Sequence, residues 1–93
     1  MPPRIKVSVI QGANSEIARM KFFKDGHTGI YSEVRINGGA WLFLTTSDQS
    51  PILDERPLLV PGQAEVREYR ARFWDAGKPN GPWCDVVKVT VGP

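Results

Sequence analysis

Ninety-three residues suffice for one domain and no second, because folded domains run from about 50 to 200 residues. Hydrophobic residues at 41% and charged residues at 24% exclude wholesale disorder and fibrous repeats, and a chain of this size buries only about 60–65% of its unfolded surface, which leaves little volume for a dehydrated catalytic pocket beside a complete core. Twelve Lys and Arg against ten Asp and Glu, a net charge of +2, demand neither nucleic acid nor an anionic membrane, and the single cysteine, Cys84, excludes an internal disulfide framework.

Short segments rich in Val, Ile, Thr and aromatics, punctuated by nine Gly and eight Pro, predict an all-β chain. Ile5-Lys6-Val7-Ser8-Val9 alternates as a first strand with one buried face. Lys6 also interrupts the apolar character of the N-terminus, and nowhere do 18 apolar residues run together, so neither a signal peptide nor a membrane span is expected. If Met1 is the native start the default address is the cytoplasm; if the chain is part of something larger the address is that of the parent. Gln11-Gly12-Ala13-Asn14 turns the chain into a second strand over 17–24, where Ala18, Met20 and Phe22 alternate with Arg19, Lys21 and Phe23. A helix competes there, because Ala, Arg, Met and Lys are good helix formers; the alternation favours the strand. Asp25-Gly26-His27-Thr28-Gly29 turns again, and Ile30, Ser32, Val34 and Ile36 then oppose Tyr31, Glu33 and Arg35 on a third strand.

Asn37-Gly38-Gly39 is the strongest local signal, since Asn and Gly accept the positive φ of a tight hairpin. It joins the third strand to a fourth over 40–46, in which Trp41 and Phe43 share one face and Leu42 and Leu44 the other. Ser47-Asp48-Gln49-Ser50-Pro51 is a loop. A fifth strand is expected over 52–59, at a sheet edge because Pro57 cannot donate to a ladder. Val60-Pro61-Gly62-Gln63 leads to a sixth over 65–74, with Tyr69, Ala71 and Phe73 on one face and Glu68, Arg70, Arg72 and Trp74 on the other. Residues 75–82 read as a loop by composition, and a seventh strand over 85–91 places Val87, Val89 and Val91 on one face.

Seven strands at about 8–12-residue spacing suit a β-sandwich. The most specific stretches are Leu59-Val60-Pro61-Gly62 before a strand, Glu68-Tyr69-Arg70-Ala71-Arg72-Phe73, and Gly81-Pro82-Trp83-Cys84-Asp85 leading into Val86-Val87-Lys88-Val89-Thr90-Val91. In these the chain resembles a fibronectin type III domain over nearly its whole length. The resemblance implies a seven-stranded immunoglobulin-like sandwich of two antiparallel sheets, 1–93 as one domain, and a non-enzymatic role in protein recognition or spacing, in a small bacterial or phage protein or a module of a larger one. Cys84 stands where the family commonly has Ser. Met20 or Phe22 stands where it often has a core Trp, and Tyr69 lies about two residues late for the corner tyrosine, whose place Arg67 occupies. Residues 75–83 lack Arg-Gly-Asp, so integrin binding is not carried over.

Catalytic material is thin: His27 and Cys84 are each alone in their type, His27 in a turn and Cys84 at the opening of the last strand. Two such residues also fall short of the three or four protein ligands that zinc takes. Asp25, Asp48, Asp54, Asp75 and Asp85 fall in turns and loops, where Asp bonds its own backbone. No cofactor or metal is expected. Arg70, Arg72 and Trp74 share a sheet face with Tyr31 and Arg35, a pattern that can bind protein, glycan or nucleic acid. The structural reading of that face stacks Trp83 on Arg70 or Arg72 as a cation–π ladder, as the resemblance to cytokine-receptor domains with a Trp-Ser motif also implies. Trp74 lies further along and suits a partner contact. The patch at Trp41 and Phe43 either packs under the loop 47–51, the favoured reading, or pairs with another chain. The expectation is therefore a protein partner at Tyr31, Arg35, Arg70, Arg72, Trp74, Trp41 and Phe43, with the chain a monomer or weak homodimer. Membrane and nucleic acid are disfavoured, and the alternative is a polyanion or glycan held by Arg35, Arg70, Arg72 and Lys88.

Overall fold

Period-two alternation produces a two-faced strand wherever the chain runs extended, most regularly here in β1, β3 and β6. The computed structural model describes residues 1–93 and contains β1 (Arg4–Gln11), β2 (Glu16–Phe23), β3 (Gly29–Ile36), β4 (Leu42–Ser47), β5 (Ile52–Asp54), β6 (Glu65–Asp75), β7 (Lys78–Asn80) and β8 (Val87–Val91), with no helix. All pairings are antiparallel. One sheet has the order β1-β2-β5; the other runs β4-β3-β6, with β7 and β8 both on the far edge of β6. The two sheets form a β-sandwich.

The inward rows close the core. Ala18, Met20 and Phe22 of β2 and Ile52 of β5 meet Ile30 and Val34 of β3 and Tyr69, Ala71 and Phe73 of β6, with Cys84 in the same cluster and Ile5 and Val7 of β1 packed against it. Burying a large apolar side chain contributes about 1.5–3 kcal/mol, so this row pattern decides β2 as a strand over the helix that its composition also allows. At the β3–β4 turn Asn37 and Gly38 have φ of 51° and 74°, the two positive values of a type I′ hairpin. Asn37 also ties that turn to β6, through Asn37 N–H to the Val66 carbonyl and Val66 N–H to Asn37 Oδ1.

Several boundaries differ from the sequence expectation. β4 begins at Leu42, so Trp41 precedes the strand and is free to lie over the sheet. β5 ends at Asp54 instead of running to residue 59: beyond it the carbonyls of Asp54 and Arg56 accept from the buried Arg67 rather than from a neighbouring strand. The stretch 75–82 contains β7, because Ala76 and Gly77 take positive φ (53° and 77°) and fold Asp75 back against Lys78. The stretch expected as a loop thus adds a strand, and the expected seventh strand is β8, shortened to Val87–Val91, giving eight segments. Between β7 and β8 the chain detours, and Cys84 holds the detour to β6: its N–H donates to the Ala71 carbonyl at 2.8 Å and its Sγ accepts from Ala71 N–H at 3.3 Å. No helix is long and apolar enough to cross a membrane.

Candidate functional site on the outer face of the larger sheet

The β3–β6 register sets Glu33 opposite Arg70, Arg35 opposite Glu68 and Tyr31 opposite Arg72. Opposite charges across a ladder stabilise the pair, and here they close into hydrogen bonds. Arg35 Nε and Nη2 donate to the two oxygens of Glu68 at 3.0 and 2.9 Å; Arg70 Nε and Nη2 both donate to Glu33 Oε1, at 3.0 and 2.6 Å. The bond from Arg35 holds the Glu68 carboxyl below its ordinary range, and Glu68 in turn raises the Arg35 guanidinium.

Fixed in this way, the guanidinium planes interleave with indoles. Arg35 lies 4.7 Å from the Trp41 ring centre and Arg70 lies 4.2 Å from the same ring. Arg70 is also 4.1 Å from Trp83, and Arg72 is 5.4 Å from Trp83. The result is a continuous column, Arg35–Trp41–Arg70–Trp83–Arg72, whose indoles come from the turn before β4 and from the detour between β7 and β8. The cover over Trp41 is therefore Arg35 and Arg70, and not the loop 47–51 expected from sequence. Arg72 has no carboxylate partner, and its buried Nε makes no hydrogen bond. Lys88 lies opposite Glu68 from β8.

A second set of rings continues from the column. Tyr31 stands 5.9 Å from Trp83, 5.2 Å from Phe43 and 6.1 Å from Trp74, the last nearly parallel at 12°. Phe43 is 57% exposed, while Tyr31 and Trp74 are half-buried. The six residues expected on or beside this face, Tyr31, Arg35, Arg70, Arg72, Trp74 and Trp83, lie together, joined by Trp41 and Phe43, which the sequence reading set apart as a second patch; the eight divide into a stacked column and an aromatic strip.

Sequence reasoning missed a buried polar cluster at the other side of β6. Asp54, read by type as a turn or loop residue although it falls within the expected fifth strand, sits at the end of β5 and is buried, together with Glu65, Arg67 and Tyr69. Arg67 Nε donates to Glu65 Oε2 at 2.8 Å, Arg56 Nε donates to Asp54 Oδ1 at 2.8 Å, and the Tyr69 hydroxyl donates to Asp54 Oδ2 at 2.7 Å. Burial, reinforced by the Asp54 charge, pushes the Tyr69 hydroxyl far above its ordinary range, so it remains a neutral donor. Burial opposes the Arg67 charge, but its bond to Glu65 and the neighbouring Tyr69 and Asp54 outweigh it. Strict alternation was the available signal: Glu65 and Arg67 share the inward parity of Tyr69, Ala71 and Phe73.

The other reactive types are engaged separately. The His27 ring stacks on Phe73 at 3.7 Å and its Nδ1 bonds Asp75. Asn80, Thr28 N–H and His27 together hold the Asp75 carboxyl well below its ordinary range. Cys84 is buried, which raises its thiol. No group of three or more His, Cys, Asp and Glu is placed to hold a metal. A groove of about 560 Å³ among Gly12, Ile17, Pro57, Leu58 and Pro61 has Glu55 as its sole ionisable side chain. No family model, curated protein or solved structure matches the chain.

Proposed function

We propose that the chain is a fibronectin type III-like sandwich that acts without catalysis, as a protein-recognition or spacing module whose contact surface is the strip Tyr31, Phe43 and Trp74. Two features support the fold reading. With β7 and β8 counted as one interrupted strand, seven strands fill two antiparallel sheets, as in immunoglobulin-like sandwiches, and Trp83 closes a ladder with arginines of the penultimate strand. The observation that carries the recognition reading is Phe43: it is 57% exposed against Tyr31, which stacks in turn on Trp74, and exposed clustered aromatics are the side chains that dominate protein interfaces.

The polyanion alternative draws on the same face but has fewer cations than the sequence offers. Arg35 and Arg70 are neutralised by Glu68 and Glu33, so Arg72 and Lys88 remain, and two cations give a shallow salt dependence. The discriminating experiment is capture from source-organism lysate on the immobilised domain, run beside Phe43→Ala/Trp74→Ala and repeated at high salt. A protein retained by the wild type and lost by the variant supports recognition. Nucleic acid or polysaccharide released by salt moves the assignment to polyanions, and an empty column at both salt concentrations leaves spacing.

A further inference from the structure

A bare sheet edge is a template for another strand, and proteins blunt such edges with lysine, proline or shortness. Three edges of this sandwich are blunted. β1 carries exposed Arg4 and Lys6; β5 has three residues and is flanked by Pro51 and Pro57; β7 has three residues around Pro79, and β8 exposes Lys88. The fourth edge, β4, reads Leu-Phe-Leu-Thr-Thr-Ser, with no charge, proline or glycine. Leu42 and Phe43 are 46% and 57% exposed. A bulge leaves Leu44 without a partner on β3 and packed on the core, so those two apolar residues are consecutive at the open edge. The carbonyls of Thr45 and Thr46 each accept a side-chain hydroxyl, from Ser32 and Thr45, but no backbone N–H of 42–46 donates outside the β3–β4 ladder.

We propose that β4 is a self-association edge, to which a second copy of this chain adds its own β4 antiparallel across a twofold axis, joining the two larger sheets edge to edge. Charge selects the occupant. A twofold interface sets a surface against itself, so pairing β1 or β8 with its own copy would place like charges, Arg4 and Lys6 or Lys88 from both copies, within one strand pair, whereas β4 brings only apolar and hydroxyl side chains. In the fully overlapped register Leu42 faces Ser47 and Phe43 faces Thr46 of the second copy, which covers the exposed ring. A single strand pair lies below the roughly 1,200 Å² of a stable interface, so the dimer is weak, populated at about 0.1–1 mM.

The test is sedimentation equilibrium with amide hydrogen exchange by NMR on the full chain, from about 10 µM to about 1 mM. The average mass should rise toward twice the monomer, with exchange protection gained at residues 42–47 alone. Leu42→Lys and, separately, the exposed Thr46→Lys should each hold the chain monomeric with an unchanged circular dichroism spectrum; Thr46→Lys keeps the test decisive if Leu42→Lys unfolds. A monomer throughout, a dimer that survives both lysines, or protection gained on another edge overturns the proposal. Neither substitution removes a residue of the proposed recognition strip, so the two readings fail separately.

Discussion

Replacing Arg67 by Met tests the buried polar cluster. The guanidinium is fully buried and serves three acceptors, Glu65 at 2.8 Å and the carbonyls of Arg56 at 3.1 Å and Asp54 at 3.5 Å, with the Asp54 carboxylate at ion-pair distance, 3.8 Å. Met fills the volume but donates nothing. Asp54 keeps Arg56 and Tyr69, so it remains compensated; Glu65 is left with a single donor, the Leu59 N–H at 2.8 Å. Removing one partner of a buried pair costs about 3–5 kcal/mol because a charge remains uncompensated. At ~4–8 °C per kcal/mol for a domain of this size, Tm should fall by ~12–40 °C, a large part of the ~5–14 kcal/mol available to such a chain. Urea denaturation should locate the cost at Glu65. Arg67→Met/Glu65→Gln keeps the acceptor for Leu59 N–H but removes the orphaned charge, and it should regain about 1 kcal/mol or more over Arg67→Met. A loss below about 1 kcal/mol in the single variant, or no regain in the double, would refute the reasoning.

Trp83→Ala removes both guanidinium stacks and should cost about 1–2 kcal/mol in urea denaturation; an unchanged midpoint would mean that the column carries no stability. The pH prediction concerns Asp75. Its folded carboxyl is depressed by Asn80, Thr28 and His27, so its contribution is complete above the ordinary carboxylate range and is lost as pH falls through the folded value. The stability gap between wild type and Asp75→Asn should therefore close on acidification from neutral pH, and a gap that is constant or widens contradicts the assignment.

The alternation of 17–24, 30–36 and 65–74 sufficed to read three strands and their faces, because burial of one row of side chains is enforced by the pleat. The outer face was legible for the same reason: Tyr31, Arg35, Arg70 and Arg72 share parity, and pairing of β3 with β6 brings them together. The interruptions were not legible. The Ala76-Gly77 turn that starts β7 depends on Ala76 at positive φ, which alanine composition does not announce. Asp54 was assigned by residue type to a turn or loop, and Glu65 and Arg67 were given no face, although parity pointed both inward; their mutual neutralisation, invisible until β5 meets β6, is what allows the inward placement. Trp41 was placed on a strand face, whereas it lies before β4 and is positioned by two arginines.

The detour between β7 and β8 secures the core and the outer face of the larger sheet within a few residues. Neighbouring side chains on extended backbone point to opposite sides, so Cys84 enters the core and pins Ala71 from within, while Trp83 turns out and is clamped by Arg70 and Arg72. β6 is thereby held from both faces at the point where its ladder partner is interrupted. The column consumes the charges that do this work: Arg35 and Arg70 are paired and stacked at once, and little of their field is left for a ligand. Phe43 is outside that economy. Its one aromatic neighbour is Tyr31, it lies two residues beyond an indole that Arg35 and Arg70 of the column engage, and it is the aromatic side chain of this face that the fold exposes most.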